Sequence, residues 1–278
     1  MSTEYKSERQ HTFRVYSDDE IQRNIKNHYH KMRTSQTVDH VKNMHKMFNE
    51  RTKKPIKIMD AIQMLDNFID VSDPDISMPN VHHLFQTAEG IRKAGHPDWL
   101  QLIGLIHDLG KLCYLNNKPE LGLSIEEQWS VVGDTFLVGC KLPDVCVYPE
   151  FNKENPDMLD PNYMTSNGIY EAGCGLDKCL CAWGHDEYLY QILRETPNRL
   201  PEEAYYIVRY HSLYPHHTGK AYRELLSNKD QEYLYILTTF NQFDLYTKEN
   251  MSANIDDLKT YYQEIIDKYF PRGDILNF

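Results

Sequence analysis

The chain has 278 residues, 41% of them hydrophobic, and a formal net charge of -11. That length can bury a core without disulfides or structural metal, while the acidity excludes a nucleic-acid backbone or an anionic membrane surface as partner, because both would be repelled at long range. No stretch approaches the roughly 20 apolar residues of a membrane span, and the first residues, MSTEYKSERQHT, show no apolar signal-peptide core. The expectation is therefore a cytoplasmic protein whose six cysteines, at 113, 140, 146, 174, 179 and 181, are reduced thiols. CGLDKCLC lacks the paired two-residue spacing of a zinc site.

In chain order, residues 1–12 are expected to be disordered and 13–278 to form one domain. Ser17 and Glu20 make a capping box that starts a helix running to about Glu50. Ile58, Ile62, Leu65 and Ile69 recur at helical spacing and predict a helix over 56–69, broken by Asp70-Val-Ser-Asp-Pro-Asp, since proline disfavours helix just before itself. A loop to Pro79 precedes predicted helices over 81–93 and 98–114, separated by Gly95-His-Pro97. The second contains LIGLIHDLGKL, apolar enough to be a core helix whose polar residues need partners. From Leu115 to Trp183 periodicity is lost and irregular loops are expected. Helical pattern returns over 185–195, over 201–211 with Pro201 in the first turn, over 229–247 and over 255–270. The fold class expected is all-α, a single-domain helical bundle with a long loop or lid region.

His107 and Asp108 sit side by side in the most apolar of these helices, where a carboxylate and an imidazole are costly unless paired or metal-bound. His83, His185, His211 and Asp244 fall on four other predicted helices. Four histidines and two aspartates facing inward from separate helices are how bundles build metal sites. Four nitrogens with two carboxylates suit iron, manganese or zinc better than magnesium or calcium. His28, His30, His40, His45, His216 and His217 read instead as surface or packing residues. Lys111 follows His107 by one turn and can reach the same site, where its charge would favour ionisation of a metal-bound hydroxyl; the competing reading is a solvated lysine near its helix end.

The set resembles the His, His-Asp, Asp pattern of the HD-domain superfamily, enlarged by two histidines that suggest a second metal. From about Thr12 to the C-terminus the chain resembles the myo-inositol oxygenase family, on the strings HLFQTAEGIRKAG, LIGLIHDLGK, VVGDTF, CGLDKCLCAWGHDEY, HSLYPHHTG and FDLYTK. The resemblance implies an HD-type helical fold, two iron ions, mixed-valent Fe(II)/Fe(III) in the active form, and four-electron cleavage of myo-inositol by O2 to D-glucuronate. It implies that His83, His107, Asp108 and Asp244 hold one iron, that Asp108 bridges, and that His185 and His211 hold the other. Asp108 and Lys111 are the implied catalytic residues. The implied substrate contacts are Arg14, acting as a lid, with Asp70, Val71, Ser72, Lys111, Gly133, Asp134, His211 and Ser212. Val71 stands where the family pattern has an acidic residue, and the loop NNKPELGLSIEEQW is longer than its counterpart.

Two rival readings follow from the same residues. A metal-dependent phosphohydrolase of the HD superfamily would share the ligands but needs several cations for phosphate, and here Lys111 and Arg14 alone approach the pocket. A catalytically dead helical scaffold would have no use for a complete ligand set. The partners expected are myo-inositol and O2, without nucleic acid or membrane, on a monomer.

Overall fold

The computed structural model of the protein describes residues 19–72, 80–246 and 255–278. The first predicted helix is two, α1 (Asp19–Ser35) and α2 (Val38–Glu50). The break comes from Thr37, whose side chain accepts from the His40 amide at 3.1 Å and caps α2. Thr37 lacks the Glu or Gln partner that marks a capping box, so the sequence hides the boundary. Ser17, the expected cap of the first helix, lies outside the described residues, as do residues 1–12.

The helix expected over 56–69 is also corrected. Pro55–Lys57 is a short strand, β1, and only Ile58–Met64 is α-helical (α3), followed by a 3-10 turn at Leu65–Asn67. β1 pairs antiparallel with the C-terminal strand, with Ile56 opposite Leu276, so a partner more than 200 residues away overrides local propensity.

Next come α4 (Asn80–Lys93) and α5 (Asp98–Ile106). In α5 every residue from Leu100 to Ile106 is buried, as expected of a helix that is apolar on nearly all sides and packed at the centre of a bundle. Each such Leu or Ile contributes about 1.5–3 kcal/mol by leaving water. Gly104 lets α4 approach, because a Cβ there would stand 3.0 Å from the Ala88 Cα.

The predicted helix over 98–114 changes its winding midway. From His107 to Asn116 it is a 3-10 helix of ten residues, longer than such runs usually are. Residues three apart then eclipse, which places Lys111 over Asp108 rather than over His107.

Residues 117–183 are largely irregular, with short 3-10 turns and a two-stranded antiparallel ribbon, β2 (Leu137–Val138) and β3 (Leu180–Cys181). The chain then forms α6 (His185–Glu195), α7 (Glu202–Tyr210), the single turn α8 (Tyr214–His217), α9 (Asn228–Tyr246), α10 (Ile255–Tyr269) and β4 (Ile275–Asn277). Pro201 is the N-cap of α7 rather than part of its first turn. α5 packs against α4, α7, α9 and α10, and this set carries the main core. No helix of the described residues is long and apolar enough to cross a membrane. The six cysteines are free thiols, and burial pushes Cys140 and Cys181 up to about 12, which leaves them inert at neutral pH.

Candidate metal centre

Two helix ends aim two histidines in the same way. His107 is the C-cap of α5 and His211 the C-cap of α7. A helix end leaves carbonyls without intrahelical partners, and here His107 Nδ1 bonds the Gly104 carbonyl at 3.0 Å and His211 Nδ1 the Val208 carbonyl at 3.0 Å. A carbonyl only accepts, so each Nδ1 carries a proton and each Nε2 is the atom left to face the centre, where it presents a lone pair once a metal is bound. His185, at the start of α6, is oriented the same way through the Val131 carbonyl, 2.9 Å from its Nδ1.

The Nε2 atoms and the carboxylates form two adjoining groups. His83 Nε2 and His107 Nε2 lie 3.0 and 3.2 Å from Asp244 Oδ1, and 3.9 and 3.5 Å from Asp108 Oδ2. On the other side His185 Nε2 and His211 Nε2 are 3.3 Å apart, and 3.4 and 3.9 Å from Asp108 Oδ1. Donors about 2.1 Å from one ion stand roughly 3.0–3.5 Å from each other, so both groups have the spacing of a metal shell. Asp108 offers one oxygen to each. The donor set, imidazole nitrogen with carboxylate, is that of iron, manganese or zinc.

Asp186, beside His185, escaped the sequence reading. Its Oδ1 lies 2.9 Å from His185 Nε2, 3.2 Å from His211 Nε2 and 3.2 Å from Ser212 Oγ. Acidic residues are common in the first turn of helices, so position alone gave no signal; only the turn of α6 against His211 shows where this carboxylate goes.

The electrostatics are those of a buried array of opposite charges. Burial raises the Asp108 carboxyl, but Lys111 and the surrounding histidines outweigh it and hold it well below the carboxylate range. Burial lowers His185, and Asp186 with Asp108 reverses this to about 9. Burial dominates at His211, which is lowered. Lys111 is buried, with Nζ 2.8 Å from Asp70 Oδ2 and 3.0 Å from Asp108 Oδ2. The solvated-lysine alternative therefore fails. Both carboxylates drive its ammonium well above the ordinary lysine value against the burial penalty.

A pocket of about 260 Å3 opens on this cluster, lined by the six His and Asp residues and by Asp70, Ser72, Lys111, Gly133, Asp134, Ser212, Tyr29 and Tyr214 among others. This is below the ~300–1,000 Å3 of sites for drug-sized ligands, and suits a small solute. Tyr29, too, was not anticipated. Val71 does not line it; its amide donates to Gln128 Oε1 at 3.1 Å, and Gln128 Nε2 donates to the Ile69 carbonyl at 3.0 Å. Gln128, in the segment 116–129, thus braces the backbone at 69–71. Arg14 lies outside the described residues. Lys111 is the one lysine or arginine lining the pocket among the described residues, and two carboxylates already engage it, so the described lining offers no unengaged cationic side chain to a phosphate group. A larger cleft of about 430 Å3, lined by Met44, Phe48, Arg51 and Trp183, gathers no metal-ligating cluster among the described residues.

The family model described as myo-inositol oxygenase matches residues 22–278. The chain is 46% identical over 263 residues to the inositol oxygenase of Homo sapiens, covering 94% of this chain and 89% of that one. It is 45% identical to the inositol oxygenase of Danio rerio, over 93% of this chain and 91% of that one, and 43% identical to inositol oxygenase 1 of Arabidopsis thaliana, over 94% and 83%. With a metal-type cluster in its helical core, the chain belongs to the myo-inositol oxygenase family.

Proposed function

We propose that this pocket binds myo-inositol beside two irons and that the protein, an oxidoreductase of the inositol oxygenase family, converts myo-inositol and O2 to D-glucuronate, water and a proton. The observation that carries the reading is Asp108, whose two oxygens face two separate imidazole groups, the arrangement a bridging carboxylate needs. His83, His107 and Asp244 would hold one ion with Asp108, and His185 and His211 the other. The iron pair, mixed-valent in the active form, would supply the redox capacity for O2 and the Lewis acidity that binds a polyol.

The chain's own residues account for the rest. Three imidazoles locked by carbonyls keep their Nε2 atoms aimed inward without conformational search. Lys111 places a buried cation beside Asp108, which favours the ionised form of a substrate hydroxyl at that point. Asp70 accepts from Ser72 Oγ at 2.6 Å, fixing the loop whose polar groups, with Gly133, Asp134, Ser212 and Arg14, would receive the ring hydroxyls. The match over 22–278 supports one catalytic domain, and six free thiols suit a reducing cytoplasm; we infer a monomer.

The test is oxygen uptake by iron-loaded protein with myo-inositol, with glucuronate assayed in the same vessel and an anaerobic control. One glucuronate per O2, dependent on iron, supports the proposal. Two bound irons without turnover would send the search to other substrates.

A further inference from the structure

Arg33 lies outside the pocket, on α1, and is fully buried. Its Nη2 donates to Asp134 Oδ2 at 2.6 Å and to the Val147 carbonyl at 3.2 Å, and its guanidinium carbon sits 4.4 Å from the centre of the Phe136 ring. The pair spans 101 residues of sequence and both side chains are out of solvent, at 0% and 2% exposure. A buried ion pair is a poor device for stability alone, because desolvation consumes most of the Coulombic gain. This pair, however, sits at the wall of the pocket. Asp134 lines it; Arg33 takes Oδ2, the main-chain amides of Val147 and of Asp134 itself also act on the carboxylate, and Oδ1 makes no hydrogen bond of ordinary geometry. A carboxylate this deeply buried keeps its charge only where donors and a cation surround it. The next residue is tethered to the metal cluster, since the Thr135 amide donates to the Ser212 carbonyl at 2.8 Å, directly after His211.

We propose that Arg33 is a positioning residue for the polyol: it clamps Asp134 in an acceptor-only state at the pocket wall, where the carboxylate accepts a hydrogen bond from one ring hydroxyl. The inference rests on the reading of the pocket as a myo-inositol site. Burial is the larger effect and leaves the Asp134 carboxyl above its ordinary value, while Arg33 limits that rise; without the guanidinium the buried acid would tend further to the neutral form, which donates where an acceptor is needed. Arginine suits the task because it cannot lose its proton, and its single terminal nitrogen Nη2 reaches both Asp134 and Val147.

The experiment is steady-state kinetics with myo-inositol on iron-replete Arg33→Met, Arg33→Lys, Asp134→Asn and the Arg33→Met/Asp134→Asn pair, with iron content measured on the same samples. Arg33→Met and Asp134→Asn should each raise KM by about tenfold or more, while kcat and iron content stay within about threefold. Arg33→Lys should recover part of the loss, and the double variant should be no weaker than Arg33→Met alone, as for residues acting through one contact. An unchanged KM in Arg33→Met with a raised KM in Asp134→Asn overturns the role of Arg33 and leaves the polyol pocket standing. An unchanged KM in Asp134→Asn overturns both. Loss of iron or of kcat with KM unchanged marks Arg33 as structural and overturns the proposal as well. Should Arg33→Met not fold, Arg33→Lys decides: lysine keeps the charge but ends about one bond short of Nη2, so its KM must rise, and an unchanged KM overturns the proposal.

Discussion

Lys111 Nζ lies 3.0 Å from Asp108 Oδ2, three residues earlier in the chain. In an α-helix the neighbours at three and four residues share a face; in the 3-10 run from His107 to Asn116 the residue at three eclipses its partner. The winding therefore commits the lysine to the carboxylate that faces both imidazole groups, and its remaining reach goes to Asp70, 2.8 Å away.

Removing that ammonium should hurt in two ways. Lys111→Met is expected to lower kcat by roughly 100-fold or more, the scale of losing a positioned charge in proton transfer. It should also lower the stability of the metal-free protein by about 3–5 kcal/mol, since Asp70 and Asp108 lose the buried cation that both engage. Turnover close to wild type would sink the catalytic role, and an unchanged melting temperature would sink the electrostatic one.

Gly110 stands between Asp108 and Lys111, and a Cβ there would fall 1.9 Å from the His185 carbonyl oxygen. Gly110→Ala must push α6 away from the 3-10 run and displace His185. We expect a loss of about 1–3 kcal/mol or more, the cost of overpacking, together with binding of one iron in place of two. Calorimetry and metal analysis of a single preparation check both; a variant with two tightly bound irons would show that this contact does not set the position of His185.

Asp186 approaches both imidazoles of the second group. Asp186→Asn keeps the size and loses the charge, and should weaken the second metal equivalent by about 10–100-fold, the range for residues that support metal ligands, with the first equivalent unaffected. Asp244→Asn should do the reverse. Competitive chelator titrations separate the two; equal effects of both variants on both equivalents would argue against independent sites.

Three histidines outside the cluster predict the response to acid. Burial lowers His40, His216 and His217 to about 4, well below the ordinary value near 6.5. Between about 6.5 and 4 the unfolded chain binds protons that the folded chain does not, so stability falls with falling pH, by at most about 1.4 kcal/mol per pH unit for each histidine. His216→Gln keeps an acceptor for Tyr206, whose hydroxyl lies 3.3 Å from the His216 Nε2. The gap in urea midpoint between wild type and His216→Gln should narrow as pH falls from 6.5 to 5.5. A gap constant over that range would show that His216 does not titrate as its burial requires.

The all-helical class, the central place of LIGLIHDLGK and most of the helices were readable from the order of residues alone, because burial of apolar side chains at a period of 3.6 is a local constraint that each helix meets by itself. The residue types needed for a metal cluster were equally visible in His83, His107, Asp108, His185, His211 and Asp244, since imidazoles and carboxylates inside apolar helices demand partners. What local pattern could not contain was everything that depends on a distant neighbour. The strand at Pro55–Lys57 exists because Ile275–Asn277 lies beside it. The 3-10 winding that places Lys111 over Asp108 goes with the close passage of His185 over Gly110. Arg33 looks like one more cation on an exposed helix until Asp134, 101 residues on, meets it in the core. Asp186 looks like an ordinary acid in the first turn of a helix until α7 brings His211 to it. In each case the deciding term is a contact between segments remote in sequence, and such contacts are set by packing of the whole bundle.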